Sequence, residues 1–131
     1  MLPTVNTLML EEDGDTLTIL FNRPETRNAL SEEMAGEFNG VLEALPGTDF
    51  RVVVLRGSGG TFCSGGDLTM FRDVFHGGTS REDIVAFNAG FWLTQAAIRA
   101  LPQQYIVVIE CAAISGGLCI ASLADVVIAR T

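Results

Sequence analysis

The chain has 131 residues, of which 48% are hydrophobic and 18% are charged, and its formal net charge is −8. This length and apolar content fit one folded domain and exclude an intrinsically disordered chain. The 16 acidic side chains outnumber the 8 basic ones, all of them arginine, which argues against sequence-independent binding to nucleic acid or to an anionic membrane. We therefore expect neither nucleic acid nor membrane as a partner.

The cysteine pattern and the lack of a targeting segment indicate the compartment. Cys63, Cys111 and Cys119 have neither C-x-x-C nor zinc-ligand spacing, and the chain has one histidine. A disulfide framework and a metal site are therefore not expected, and a reducing compartment is favoured. The N-terminus resembles no secretory signal, and the most apolar segment is interrupted by Glu110 and Asp125, too close together for a membrane helix of about 20 residues. These features predict a soluble, cytoplasmic protein.

The first predicted elements are a β-hairpin and a helix. Thr7–Glu11 and Thr16–Phe21 flank Asp13-Gly14, a strong turn signal. Ser31 is the predicted N-cap of the helix, and Pro46-Gly47 ends it. The apolar residues of this helix recur at helical spacing and are its predicted buried face: Met34, Phe38, Val41, Leu42 and Leu45.

Further strands and helices alternate along the rest of the chain. The unbroken apolar run in Arg51–Arg56 predicts a strand covered on both faces. Ser80, with Asp83 three residues later, resembles a capping box that begins a second long helix. The predicted core positions of that helix are Ile84, Phe87, Phe91, Trp92, Ile98 and Leu101. Tyr105–Ile109 and Asp125–Ala129 are predicted as two more apolar strands, and the alternation as a whole predicts an α/β layout.

Two glycine-rich loops carry the candidate chemistry. The first, Gly57–Asp67, lacks the third glycine of a dinucleotide fingerprint and the lysine of a phosphate-binding loop. Either it is a surface turn, or its glycines bring backbone N–H groups close to a ligand, with Gly66 beside a helix that Asp67 caps. The second loop, Ser115-Gly116-Gly117, also follows a buried strand. Two such loops predict two backbone donors that face one oxygen, as in an oxyanion hole for a thioester or ester.

Three polar residues keep alternative interpretations open. Ser115 fits the centre of a nucleophile elbow, but the histidine of such a hydrolase follows its serine, whereas His76 precedes Ser115. A serine hydrolase would therefore need a residue from outside these 131. His76 itself lies in a glycine-flanked loop that is either a lid or a solvated turn. Glu110 is either a displaced base or the cap of a turn.

Three sequence blocks together resemble a known family. They are Asn22-Arg23-Pro24-Glu25 with Asn28-Ala29-Leu30, then GGTFCSGGDL at Gly59–Leu68, then Ile114–Gly117 with Ala124–Ala129. In this order and at these spacings, they resemble the crotonase (enoyl-CoA hydratase/isomerase) superfamily over nearly the whole chain. The resemblance implies an α/β fold, a spiral of strand–strand–helix (ββα) units truncated before the C-terminal part. Residues 1–131 would then be the N-terminal half of the family's catalytic domain.

The resemblance also implies a substrate and a site. The substrate is an acyl-CoA, with coenzyme A as part of the thioester and no separate cofactor, and a full-length chain would form a homo-oligomer, a trimer or hexamer. The oxyanion donors would be Gly66 N–H and Gly116 N–H. The other positions that match substrate-contacting residues are Arg27, Ala29, Ser64, Asp67, Leu68 and Ala113.

The acid/base residues of the family are where this sequence departs from its pattern. One catalytic glutamate corresponds to Cys119, which is expected to be a small buried helix residue, and the other would lie beyond Thr131. Hydration of a 2-enoyl-CoA is the reaction that the resemblance favours. The alternatives are isomerisation, decarboxylation or thioester hydrolysis on the same scaffold, or CoA binding without turnover.

Overall fold

A single sheet organises residues 1–130, the part of the chain that the computed structural model describes. Its strands are β1 (Leu8–Asp13), β2 (Thr16–Phe21), β3 (Val52–Gly57), β4 (Gln104–Ile109) and β5 (Val126–Ala129). They lie side by side in the order of the sequence. The first pair is antiparallel and the other three pairs are parallel. Parallel neighbours need long crossover connections, and the helices lie in those connections.

Three of the four described helices begin at side-chain caps that the sequence predicts. The four helices are α1 (Glu32–Ala44), α2 (Leu68–Phe75), α3 (Arg81–Arg99) and α4 (Gly116–Ser122). The Ser31 hydroxyl caps α1, the Asp67 carboxylate caps α2, and Ser80 and Asp83 form the complete capping box of α3. These three predicted caps are confirmed. No helix in the described part of the chain is long and apolar enough to cross a membrane.

A second, very short strand follows three of the long ones. After β2 the chain reaches Leu30, which forms a parallel bridge with Gly66, in the segment that follows β3. The same segment forms a parallel bridge through Cys63 with Ala113, which follows β4. Each turn of the chain therefore contains a long strand, a bridge-length strand and a helix, and the predicted α/β spiral of ββα units is confirmed.

The core lies between the sheet and α1. Alternate residues of β2, Leu17, Ile19 and Phe21, are fully buried. All five predicted apolar positions of α1 and its C-terminal turn are buried against them. The ring of Phe21 meets Phe38 edge-on, with 5.4 Å between the ring centroids, a favoured aromatic geometry.

Three local expectations are wrong, and the predicted strand β5, for which no burial was predicted, is exposed. Asp13 pairs with Thr16, so the hairpin turn is one residue later than predicted, at residues 14–15. In β3 only one face is fully buried, and the other, with Val52, is half-buried. All four residues of β5 are exposed, because no element among residues 1–130 covers them. Trp92 is 70% exposed, since it lies about 100° around α3 from Phe91 and away from α1.

Candidate functional site

Two loops meet at the carboxyl ends of β3 and β4. Cys63 N–H donates to Ala112 O, and Ile114 N–H donates to Cys63 O, both at 3.1 Å. The approach is so close that a Cβ at Gly65 would lie 2.9 Å from Ile114 O, and a Cβ at Gly117 would lie 2.8 Å from Cys63 Cβ. Glycine at both positions is therefore what allows the two loops to pack side by side.

The two loops border a cavity of about 220 Å³. Its apolar wall is formed by Leu30, Phe71, Phe87 and Phe91. Its remaining lining residues are Gly66, Asn88, Ser115, Gly116 and Cys119. The cavity thus combines aromatic side chains with the two glycine-rich loops.

Gly66 N–H and Gly116 N–H are both without an acceptor within residues 1–130. Their neighbours are engaged: Asp67 N–H donates to Leu30 O at 3.0 Å, and Gly117 N–H donates to Ile114 O at 2.9 Å. The two glycines that border the cavity are thus held in place by bonded neighbours while their own donors stay available. Two fixed N–H groups beside one cavity can stabilise negative charge on an oxygen atom.

The Arg23 side chain links the first glycine-rich loop, which ends at Asp67, to the segment that follows β2. Its Nη1 donates to Ala29 O at 2.7 Å, and its Nη2 forms an ion pair with Asp67 Oδ2 at 3.2 Å. Partial burial acts to raise the pKa of Asp67, but hydrogen bonds from Thr69 and Arg23 outweigh it and hold the pKa below its usual value. Arg23 belongs to the first sequence block, yet sequence reasoning gave it no role, because its two partners are set by the fold.

The remaining predicted contact residues are not among those that line the cavity. Arg27 has a left-handed backbone, with φ 53°, and its carbonyl accepts Ser64 N–H at 3.1 Å. Ala29 is buried, and Ala113 is held in the bridge to Cys63. Leu68 is 78% exposed at the start of α2. Contact of these residues with a substrate stays a prediction.

The environments of two cysteines differ, and one of them departs from expectation. Cys119 is exposed and lines the cavity, so the expectation of a buried helix residue is wrong: α4 turns this position towards the cavity and not towards the sheet. Cys63 is fully buried, and this burial raises its pKa to about 11, with a small opposing effect from the Gly65 N–H. Of these two thiols, only Cys119 is open to solvent.

His76 and Glu110 lie outside the residues that line the cavity. His76 is exposed at the C-terminus of α2, where its N–H donates to Arg72 O at 3.1 Å. Glu110 forms an ion pair with Arg56 at 2.9 Å, and its carbonyl accepts Phe62 N–H. Glu110 therefore helps to hold the ends of β3 and β4 together, and both of its interpretations, as a displaced base and as the cap of a turn, stay predictions.

Sequence reasoning missed two lining residues, Phe71 and Asn88. Phe71 follows the Asp67 cap by one turn, and its ring edge would lie 3.2 Å from a Cβ at Gly66. Asn88 is one residue from Phe87, on the part of α3 that borders the cavity. Phe71 could have been predicted, because it is an apolar residue one turn after the helix cap. No local sequence pattern distinguishes Asn88 as a lining residue.

Comparisons with known proteins agree with this architecture. The family described as "Enoyl-CoA hydratase/isomerase" matches residues 11–131. "Enoyl-CoA delta isomerase 2" of Homo sapiens is 40% identical over 75 residues, which cover 57% of this chain and 19% of that protein. "Probable enoyl-CoA hydratase echA12" of Mycobacterium leprae is 35% identical over 116 residues, 86% of this chain and 40% of that one.

A solved structure extends the similarity to the fold. Pseudomonas aeruginosa AtuE is 37% identical and superposes with a TM-score of 0.87 over 95% of this chain and 48% of its own. This agreement confirms the predicted fold class. The chain spans about half the length of that structure and less than half of the two curated relatives.

Proposed function

The chain belongs to the enoyl-CoA hydratase/isomerase (crotonase) family, and on that premise we propose that it binds an acyl-CoA thioester with the carbonyl oxygen between Gly66 N–H and Gly116 N–H. One observation carries the proposal: both glycines line the same cavity, and neither N–H has an acceptor within residues 1–130. In the proposed complex, each of these two N–H groups donates a hydrogen bond to the carbonyl oxygen of the thioester.

The proposed chemistry is stabilisation of an enolate. When a nucleophile adds to C3 of a 2-enoyl thioester, or when a proton leaves C2, negative charge moves onto the carbonyl oxygen. Two N–H dipoles that already point at this oxygen need no reorganisation as the charge develops, and an apolar surrounding strengthens their effect. The rings of Phe71, Phe87 and Phe91 supply that apolar surrounding and face the acyl part of the substrate.

The coenzyme A part would lie along the loops outside the cavity. Arg27, Ala29, Ser64 and Leu68 occur there, and Arg27 is the residue among them with a charge to offer a phosphate. The two segments that contain these residues, 27–30 and 64–68, are joined by backbone hydrogen bonds, such as Ser64 N–H to Arg27 O. The acidic sequence offers no cluster of basic side chains for the phosphates of coenzyme A. Contacts between this surface and coenzyme A are therefore assigned mainly to backbone groups.

We assign hydration of a 2-enoyl-CoA as the reaction. Water adds its oxygen to C3, C2 gains a proton, and the intermediate enolate is held by the two N–H groups. The residues that line the cavity within 1–130 include no carboxylate, so the base is assigned to a residue outside this set. Isomerisation is the second candidate, because the human relative is named as a delta isomerase. Binding of an acyl-CoA without turnover is the third candidate, and it is favoured by the lack of a carboxylate among the lining residues.

A pair of substitutions at one position tests the proposal. Gly66→Pro removes the N–H donor, whereas Gly66→Ala keeps it and meets only the edge of the Phe71 ring. We compare affinities for acetoacetyl-CoA and for a CoA thioether that lacks the carbonyl. The wild type and Gly66→Ala should prefer the thioester, and Gly66→Pro should lose that preference. If the wild-type protein binds the thioester no more tightly than the thioether, the proposal is overturned.

Turnover distinguishes the candidate reactions. Crotonyl-CoA gives a 3-hydroxy product only by hydration, and a 3-enoyl-CoA gives a 2-enoyl product only by isomerisation. In an active protein, removal of the Gly66 donor should lower kcat by about 10²–10³-fold, the usual effect of losing one oxyanion donor. Selective thioester binding with neither product would support binding alone.

A further inference from the structure

Ser115 is a cavity-lining residue with an unfavourable backbone conformation. Its φ is 51° and its ψ is −116°, in a region that glycine adopts readily and serine does not. The conformation is held by hydrogen bonds on both sides, from Cys119 N–H to Ser115 O at 3.0 Å and from Gly117 N–H to Ile114 O at 2.9 Å. Strained residues of this kind concentrate at functional sites.

The Ser115 side chain begins between the two donor loops. Ser115 directly precedes the donor Gly116, and its Cβ would lie 3.2 Å from a Cβ built at Gly65, which directly precedes the donor Gly66. Its hydroxyl is one bond from that Cβ and can rotate to donate in several directions. The hydroxyl neither caps α4 nor bonds to any other residue within 1–130.

A nucleophilic role does not fit this serine. A serine nucleophile needs a base within hydrogen-bond reach, and the residues within 1–130 that line the cavity with Ser115 include neither a histidine nor a carboxylate. His76 is not among the residues that line the cavity, and Glu110 is paired with Arg56. What the geometry offers is a hydroxyl donor beside two backbone donors.

We propose that the Ser115 hydroxyl is a third hydrogen-bond donor to the thioester oxygen, alongside Gly66 N–H and Gly116 N–H. The inference rests on the proposed function, because it needs a carbonyl oxygen in this cavity. The hydroxyl keeps its proton and forms no covalent bond. Its contribution grows as negative charge develops on the oxygen, since hydrogen bonds to charged groups are the stronger ones.

Two substitutions separate the effect of the Ser115 hydroxyl from the effect of its backbone strain. Ser115→Ala removes the hydroxyl but keeps the Cβ, and therefore keeps the unfavourable φ. Ser115→Gly removes the hydroxyl and also relieves the strain, so that its Tm should rise by a few degrees despite the greater entropy of the unfolded glycine. Ser122→Ala, at the other end of α4, is the matched control.

The test measures affinity for acetoacetyl-CoA and for a CoA thioether without the carbonyl. Both Ser115 variants should bind the thioester about tenfold more weakly and bind the thioether as the wild type does. Ser122→Ala should bind both ligands normally. If both Ser115 variants keep the full thioester preference, this inference is overturned while the proposed function stands. If the wild type has no thioester preference, the proposed function fails, and this inference fails with it.

Discussion

Gly117 packs directly against Cys63, and this contact sets the spacing of the two loops at the cavity. A Cβ at residue 117 would lie 2.8 Å from Cys63 Cβ and 2.9 Å from Cys63 O. Cys63 is fully buried and paired with Ala113 in a parallel bridge. A larger residue at 117 could therefore be accommodated only by moving backbone.

Gly117→Ala should destabilise the protein and impair the site. Overpacking of this kind typically costs about 1–3 kcal/mol, and here it would push the two donor loops apart. Gly36→Ala is the matched control, because Gly36 is an exposed residue of α1 with no atom within 4 Å of an added Cβ. That change should be neutral or stabilising, by up to about 1 kcal/mol. Urea denaturation measures both, and equal stability of the two variants would contradict the packing argument.

The thiols provide a test of binding that needs no turnover. In a Cys111→Ser background, N-ethylmaleimide should modify Cys119 rapidly. It should modify Cys63 slowly, because burial limits access to Cys63 and raises its pKa to about 11. An acyl-CoA that fills the cavity should protect Cys119. Mass spectrometry with and without acetoacetyl-CoA measures this protection.

The control for thiol protection is the cysteine outside the cavity. In a Cys119→Ser background, the modification rate of Cys111 should not change when acetoacetyl-CoA is added. Equal modification of Cys119 with and without a saturating thioester would show that the acyl group does not enter this cavity.

The ion pair between Arg23 and Asp67 predicts a specific pH dependence. Because the folded-state pKa of Asp67 is lowered, its carboxylate contributes stability that is complete above the unfolded-state pKa of about 3.9. This contribution is lost as the pH falls through the lower folded-state pKa. Asp67→Asn keeps a capping oxygen but has no charge. The wild type should therefore be more stable than Asp67→Asn at neutral pH, and the difference should disappear in acid.

Denaturant unfolding from pH 7 to pH 2 measures that difference. The other carboxylates are common to both proteins and cancel in the comparison. Asp67→Ala should show a further, pH-independent loss of about 1 kcal/mol, because it also removes the N-cap of α2. A wild-type advantage that stays constant down to pH 2 would contradict a charged role for Asp67.

The caps and the core of α1 could be predicted because their signals are local. Ser31 and Ser80 need only an oxygen at the residue before the helix, and each is found where that pattern predicts. The apolar spacing of α1 likewise determines which face is buried. Both signals lie within a few residues of the structure that they specify, so that long-range packing does not disturb them.

The environments of Trp92 and Cys119 could not be predicted, because they depend on which elements pack against a helix. Trp92 looks like a core residue by type, yet it points away from α1. Cys119 is small enough for the core, yet α4 turns it to the cavity. The close approach of Gly65 and Gly117 to the opposite loop is likewise a contact between segments about fifty residues apart. The sequence marks these glycines without indicating what they approach.

The backbone amides of Gly66 and Gly116 provide the most direct test of the account. In ¹⁵N-labelled protein, we expect acetoacetyl-CoA to shift both amide protons downfield, as formation of a hydrogen bond to an oxygen acceptor does. A CoA thioether without the carbonyl should leave both resonances nearly unchanged. Equal responses of both amides to the two ligands, or no response to either, would contradict the claim that these two N–H groups hold the thioester oxygen.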